Sequence, residues 1–342
     1  MKAMLLREIA SLAENPAPLT LTDLAEPMPK AGEISIHVST CGVCHTELDE
    51  IEGRMPPPHL PLVLGHQVVG KVKAVGSNAN NFKIGDRVGV AWIYSACGKC
   101  KFCLSGRENL CPDFKATGRD ANGGYAQYMT VGEDFAYPIP AGLSDAEAAP
   151  LLCAGAIGYR SLRLTNLKDG QSLGLTGFGA SAHLVLKMVK HRYPNAKVFV
   201  FSRNPQEREF ARQLGAAWAG AIDAASPQKL DAIIDTTPAW KPVVEALKNL
   251  EAGGRLVINA IRKEAADKDY LLKLDYPSHL WQEKEIKSVA NVSRQDVSEF
   301  LSLAAEAGIK PEYQEYLLEE ANQALGELKR GEIRGAKVLR IA

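Results

Sequence analysis

Gln171-Ser172-Leu173-Gly174-Leu175-Thr176-Gly177-Phe178-Gly179-Ala180-Ser181-Ala182 decides the fold of this 342-residue chain. Its first half reads as a buried strand. Its second half fits G-x-G-x-x-[G/A] and opens a helix over Ala180 to Lys190. The first glycine allows a tight turn, and the second lets the backbone approach a pyrophosphate. The third position needs only a small residue, which Ala182 supplies. The helix N-terminus then offers free N–H groups to phosphate. A lone glycine loop is a weak signal, and a plain tight βα turn is the competing explanation. A second strand, Lys197–Phe201, follows about twenty residues on, as a dinucleotide site requires.

The pattern continues outward. Pro205 to Leu214 reads as a helix, Leu230–Asp235 and Gly254–Ile258 as strands, and Val243 to Leu250 as a helix between them. Strands alternating with helices of this length imply an α/β fold, a doubly wound parallel sheet covered on both faces. The end of the second strand discriminates between cofactors. An NAD site usually has Asp or Glu there, whereas this chain has Phe201-Ser202-Arg203. Ser202 can donate a hydrogen bond to a 2′-phosphate and Arg203 can pair with its charge, so NADP(H) is favoured. Alternatively Arg203 is solvated or stacks on adenine, and NAD(H) is still accepted.

Before about residue 145 the character differs. Glu33–Val38 alternates apolar and polar residues like a half-buried strand, Val68–Gly76 reads as another, and Lys83–Val88 as a turn leading into a third. This part is expected to be a compact, mostly β domain. A helical pattern starts at Asp145. The tail holds a helix over Asp296 to Ala307 and a strand at Lys337–Ile341.

Bulk properties exclude several classes. Lys+Arg and Asp+Glu both number 40, so there is no excess basic charge for nucleic acid or a membrane surface. No apolar run reaches about 18 residues, and the N-terminal apolar stretch is too short for a signal peptide. The expected location is cytoplasmic, where thiols stay reduced. That bears on Cys97-x2-Cys100-x2-Cys103-x7-Cys111. Four thiolates on one loop suit a tetrahedral structural zinc, an iron–sulfur site or two disulfides. A reducing compartment favours a metal.

Cys41, Cys44 and Cys153 remain, with His45 and His66 as candidate histidines. The segments Cys41-Gly-Val-Cys44-His45-Thr46-Glu47-Leu48, Leu64-Gly-His66-Gln67-Val-Val-Gly70 and Leu151-Leu-Cys153-Ala-Gly155 complete a pattern with the cysteine loop and the glycine loop. Together, in this order and over nearly the whole chain, they resemble the zinc-dependent alcohol dehydrogenases of the medium-chain dehydrogenase/reductase family.

The resemblance implies a GroES-like catalytic domain over 1–152 and 289–342 that carries a structural-zinc lobe, and a Rossmann domain over 153–288, with the active site in the cleft between them. It implies a catalytic zinc on Cys44, His66 and Cys153, leaving a position open for water or substrate. Cys41 is not expected to bind it. Cys97, Cys100, Cys103 and Cys111 map onto the structural zinc. The implied reaction is reversible hydride transfer between an alcohol and an aldehyde or ketone through a nicotinamide cofactor. Thr46 takes the position that accepts the alcohol proton, and His45 that of a pyrophosphate contact. Trp92 and Met55 fall near pocket-lining positions, although either can be plain core. Relatives form dimers or tetramers.

Two departures stand out. Asp49 replaces the relay histidine, so either its carboxylate carries the proton or water does. Gln67 replaces the glutamate beside the zinc histidine, keeping hydrogen bonds but losing charge. The other histidines, His37, His59, His183, His191 and His279, are read as structural or solvated. Competing readings are an NAD(H)-dependent enzyme of the same family, a zinc-free quinone or enoyl reductase, and a non-enzymatic nucleotide-binding relative. Cys44, His66 and Cys153 argue against the second, and Thr46 with the open ligand set against the third.

Overall fold

A computed structural model describes residues 1–342. They form two compact units, Met1–Ala156 with Val292–Ala342, and Ile157–Asn291. The sequence reading sets the divisions at 152/153 and 288/289, whereas here Cys153–Ala156 group with the first unit. No helix is long and apolar enough to cross a membrane.

The first unit begins with β1 (Lys2–Leu6) and β2 (Leu19–Asp23), an antiparallel pair. β3 (Glu33–Val43) leads almost directly into α1 (His45–Ile51), and β4 (Leu62–Val63) pairs with β1. Next come β5 (Val68–Val75), β6 (Arg87–Val90), β7 (Ile93–Ser95), β8 (Lys115–Ala116), β9 (Tyr128–Gly132) and β10 (Ala136–Pro138). α2 (Asp145–Pro150) starts at a capping box in which Ser144 Oγ and the Glu147 carboxylate each take the other's backbone N–H. It runs straight into a π-helical turn, Leu151–Gly155.

β3 is buried more fully than its alternation suggests. Ile34, Ile36 and Val38 are buried as expected, but so is Ser35, while His37 is exposed. The reason is its central place, paired with β5 on one side and β9 over Glu33–His37 on the other.

The second unit starts in α3 (Ala156–Thr165) and mostly alternates strands with helices. Its elements are β11 (Ser172–Thr176), α4 (Ala180–Arg192), β12 (Lys197–Phe201), α5 (Pro205–Gln213), β13 (Trp218–Gly220), β14 (Leu230–Asp235), α6 (Lys241–Asn249), β15 (Leu250–Ile258), α7 (Tyr276–His279) and β16 (Glu285–Ser288). All pairings are parallel, in the order β13-β12-β11-β14-β15-β16. Counted within the unit this is 3-2-1-4-5-6, the Rossmann order, and the glycine loop follows the strand at its switch point. Phe199, Phe201, Ile233 and Leu256 of the sheet pack with Val243, Ala246 and Leu247 of α6. That apolar face, rather than helix propensity, holds α6 on the sheet.

The chain then returns to the first unit through α8 (Arg294–Glu306), β17 (Tyr313–Leu317), α9 (Ala321–Lys329) and β18 (Ala336–Arg340). The main sheet runs β10-β6-β5-β3-β18-β17. Lys337 of β18 is 1% exposed, yet its ammonium is satisfied by Glu327 Oε2 at 2.6 Å and Tyr316 Oη at 2.5 Å. Tyr316 Oη also donates to Glu327 Oε2, so one polar knot ties β17, α9 and β18. Lys337 first, then Tyr316 and Gln323, hold the Glu327 carboxyl down to about 2.

Candidate active site

β3 ends at Val43 and delivers Cys44 to the N-cap of α1. The thiol behaves as a capping group, its Sγ accepting the Thr46 N–H at 3.3 Å. Glu47 completes a capping box, its Oε2 accepting the Cys44 N–H at 2.9 Å. The other oxygen, Oε1, lies 2.6 Å from His66 Nδ1, with both side chains buried. His66 follows Gly65, whose φ is +96°, where a Cβ would stand 2.4 Å from the Tyr125 ring. Only glycine fits that turn. Cys153 sits on the π-helical turn, a local geometry frequent at functional sites. Gly155 lets this turn lie against Phe300 of α8, since a Cβ there would come within 2.0 Å of the ring.

These segments bring three donors together. His66 Nε2 is 3.6 Å from Cys44 Sγ and 3.2 Å from Cys153 Sγ, and all three ligand atoms lie within 4.8 Å of one another. A tetrahedral zinc with bonds of about 2.0–2.3 Å separates its ligands by about 3.3–3.8 Å. The spacing fits. So does the imidazole's orientation, with Nε2 turned to the sulfurs and Nδ1 held by a carboxylate, the usual second contact of a metal-bound histidine. The surroundings are short of positive charge. Burial and then the Glu47 charge push the Glu50 carboxyl well up, and both its oxygens are buried without a hydrogen-bond partner. Burial opposes a charged imidazole, but Glu47 and Cys44 outweigh it and hold His66 well above its ordinary range. A cation suits such a site. Cys41 lies outside it, its thiol directed to the Gly42 carbonyl at 3.6 Å.

The second cluster lies between β7 and β8. Cys97, Cys100, Cys103 and Cys111 place their sulfurs within 4.8 Å of one another, with Cys100 to Cys103 at 3.6 Å and Cys97 to Cys103 at 3.9 Å. A closed ZnS4 site has sulfur separations of about 3.8 Å. Backbone N–H groups of Lys99 and Cys100 bring the Cys97 thiol down to about 7, favouring a thiolate. All seven cysteines are free thiols, so the two-disulfide alternative is not what forms.

The remaining expected residues are distributed as follows. His45 is exposed and Thr46 half-buried in the first turn of α1. Asp49 is buried, and its Oδ1 accepts from Arg54 Nε at 2.6 Å. Gln67 is buried beside Gly42. Trp92 is half-buried with its ring 5.4 Å from that of Phe114, and Met55 is half-buried with its N–H on the Asp49 carbonyl at 2.9 Å.

In the second unit Gly177 has φ +77°, and its N–H donates to the Phe201 carbonyl at 2.8 Å. A Cβ on Gly177 would meet Thr236 Oγ1 at 2.9 Å, so packing alone demands glycine. At Gly179, the N-cap of α4, a Cβ would meet nothing within 4 Å. That open space over the helix N-terminus is the cradle a pyrophosphate needs. Ala182 is buried, Ser202 is buried, and Arg203 is exposed.

Sequence reasoning missed Glu47 and Glu50. Glu47 had a signal, since Cys44-x-x-Glu47 follows capping-box spacing. Glu50 had none.

A glycine-loop domain of 3-2-1-4-5-6 order and a β domain with two cysteine-rich clusters define a nucleotide-dependent dehydrogenase. The alcohol dehydrogenase GroES-like domain matches residues 30–141. The probable alcohol dehydrogenase AdhA of Mycobacterium tuberculosis is 44% identical over 331 residues, covering 95% of this chain and 93% of that protein. An alcohol dehydrogenase of Geobacillus stearothermophilus is 32% identical over 335 residues, covering 95% and 96%. Among solved structures, a cinnamyl alcohol dehydrogenase of Sorghum bicolor superposes with a TM-score of 0.85 at 27% identity, covering 99% of this chain and 97% of that one. The chain belongs to the medium-chain alcohol dehydrogenases.

Proposed function

We propose that this oxidoreductase is zinc-dependent, interconverts small or medium alcohols with aldehydes or ketones, and favours NADP(H). The single observation that carries the reading is the meeting of Cys44, His66 and Cys153 at tetrahedral spacing, with Glu47 behind the imidazole.

Cys44 Sγ, His66 Nε2 and Cys153 Sγ would hold the catalytic ion, and Cys97, Cys100, Cys103 and Cys111 a structural one. A zinc held there would supply Lewis acidity to the substrate oxygen, and a bound nicotinamide ring would supply the hydride chemistry. The chain's part is positioning and proton handling. Glu47 fixes the His66 tautomer by accepting from Nδ1. Thr46 Oγ1 takes the proton of the substrate hydroxyl, and His45 contacts the cofactor pyrophosphate. The Asp49 carboxylate is the next proton station, with Arg54 as its fixed neighbour. Trp92 and Met55 bound an apolar substrate pocket. Gly177 and Gly179 would receive the pyrophosphate, with buried Ala182 packing the helix on the strand, while Arg203, next to Ser202, would pair with a 2′-phosphate.

The working form is a homodimer or homotetramer in the cytoplasm. Support for assembly comes from β16, an edge strand exposed at every residue, and from Leu272, Tyr276 and Trp281, which are 88%, 60% and 57% exposed.

Metal analysis with initial rates of aldehyde reduction tests the reading. Two zinc ions per chain and turnover with a short aliphatic aldehyde and with benzaldehyde are expected, at higher kcat/KM with NADPH than NADH. Absence of zinc from an active enzyme would instead favour the zinc-free reductase reading.

A further inference from the structure

The end of β12 carries a carboxylate that the strand itself does not provide. Ser202, the residue after the strand, is 1% exposed, and its hydroxyl donates to Glu207 Oε2 at 2.5 Å. The Ser202 Oγ in turn accepts the Asn204 N–H at 3.1 Å. Glu207 stands in the first turn of α5, whose start is fixed by Asn204 as N-cap and Pro205. Arg208 Nη1 donates to the Ser202 carbonyl at 2.7 Å and to the Arg203 carbonyl at 3.3 Å, so this guanidinium is turned onto the backbone. Because Gly177 N–H is bonded to the Phe201 carbonyl, Ser202 lies beside the glycine loop. In a Rossmann fold the adenosine ribose is read at this strand end.

We propose that Glu207 is a cofactor-specificity residue, supplying from the helix the carboxylate that other sites carry on the strand. It accepts hydrogen bonds from the ribose hydroxyls of NAD(H) and opposes the 2′-phosphate of NADP(H). A serine hydroxyl has one proton. While Glu207 holds it, Ser202 cannot donate it to a phosphate. A 2′-phosphate must draw that proton away and then sit near a carboxylate, with Arg203 as the compensating charge. The preference between cofactors is therefore a contest between Arg203 and Glu207 across one strand end. This inference rests on reading the second unit as the dinucleotide-binding domain.

Glu207→Gln tests it, since the amide keeps an oxygen for Ser202 and loses only the charge. Binding of NADPH and NADH to purified wild type and variant is followed by nucleotide fluorescence, with a thermal melt checking the fold. The expected result is NADPH binding tightened by at least about fivefold, with NADH unchanged or weakened. Equal changes for both nucleotides, or none, overturn the proposal. Glu207→Ala gives the same reading should the glutamine variant melt early. If wild type binds NADH more tightly than NADPH, the NADP(H) preference proposed above falls, but the Glu207 effect is still read from the variant's ratio.

Discussion

Glu47 Oε1 lies 2.6 Å from His66 Nδ1, while its Oε2 accepts the Cys44 N–H at 2.9 Å. One buried carboxylate thus braces two of the three candidate metal donors, one through its ring and one through its backbone. Glu47→Gln is expected to weaken zinc retention by about 10–100-fold, because such a supporting carboxylate raises ligand basicity. Competition with a chelator measures it. An unchanged midpoint would remove Glu47 from the metal's support.

Gly155 predicts a packing effect transmitted to Cys153. A methyl at this position overlaps Phe300, with a Cβ 2.0 Å from Cε1. Gly155→Ala is expected to cost about 1–3 kcal/mol in denaturant unfolding, as overpacking does. Adding Phe300→Leu should recover part of it, since the residues are in contact and their effects couple. Additive losses would show that the strain lies elsewhere.

The proton path predicts two different phenotypes. Thr46→Ala should lower kcat by about 100-fold or more, and Thr46→Ser should restore most of it. Asp49→Asn should slow alcohol oxidation mainly at low pH. An unchanged pH–rate profile in that variant would take Asp49 out of the path and leave water in its place.

The polar knot under β18 predicts a pH dependence of stability. Glu327 is held down to about 2, chiefly by Lys337. A carboxyl depressed in the folded state stabilises above its unfolded value of about 4.3, and this contribution fades as pH falls from there through its folded value. Glu327→Gln should therefore be less stable than wild type at pH 7, with the gap narrowing at pH 3. Urea midpoints at the two pH values provide the check, and a gap of constant size would assign the loss to packing.

The second unit was legible because its signals are local. Gln171–Ala182 carries strand, turn and helix start in one stretch, and parallel order follows from alternation. The metal site was not legible from spacing. Cys44 and His66 are 22 residues apart and His66 and Cys153 are 87 apart, so only resemblance joined them before the fold did. The strand end, Phe201-Ser202-Arg203, carries no acid of its own. Glu207 reaches the same point from the next helix, which no inspection of the strand end reveals. Alternation placed Ile34, Ile36 and Val38 inward and His37 outward in β3, and it failed at Ser35, which is buried in a strand paired on both sides.

The two cysteine clusters differ in how much chain must be folded before they exist. Cys97 to Cys111 spans 14 residues, so that loop can close on an ion with little else in place. The Cys44–His66–Cys153 site requires β3, the link before β5 and the π-helical turn packed on Phe300 to have met. Metal capture by the first cluster is thus a local event, and capture by the second reports a finished domain. A chain carrying a single ion would be one that stalled between those two stages.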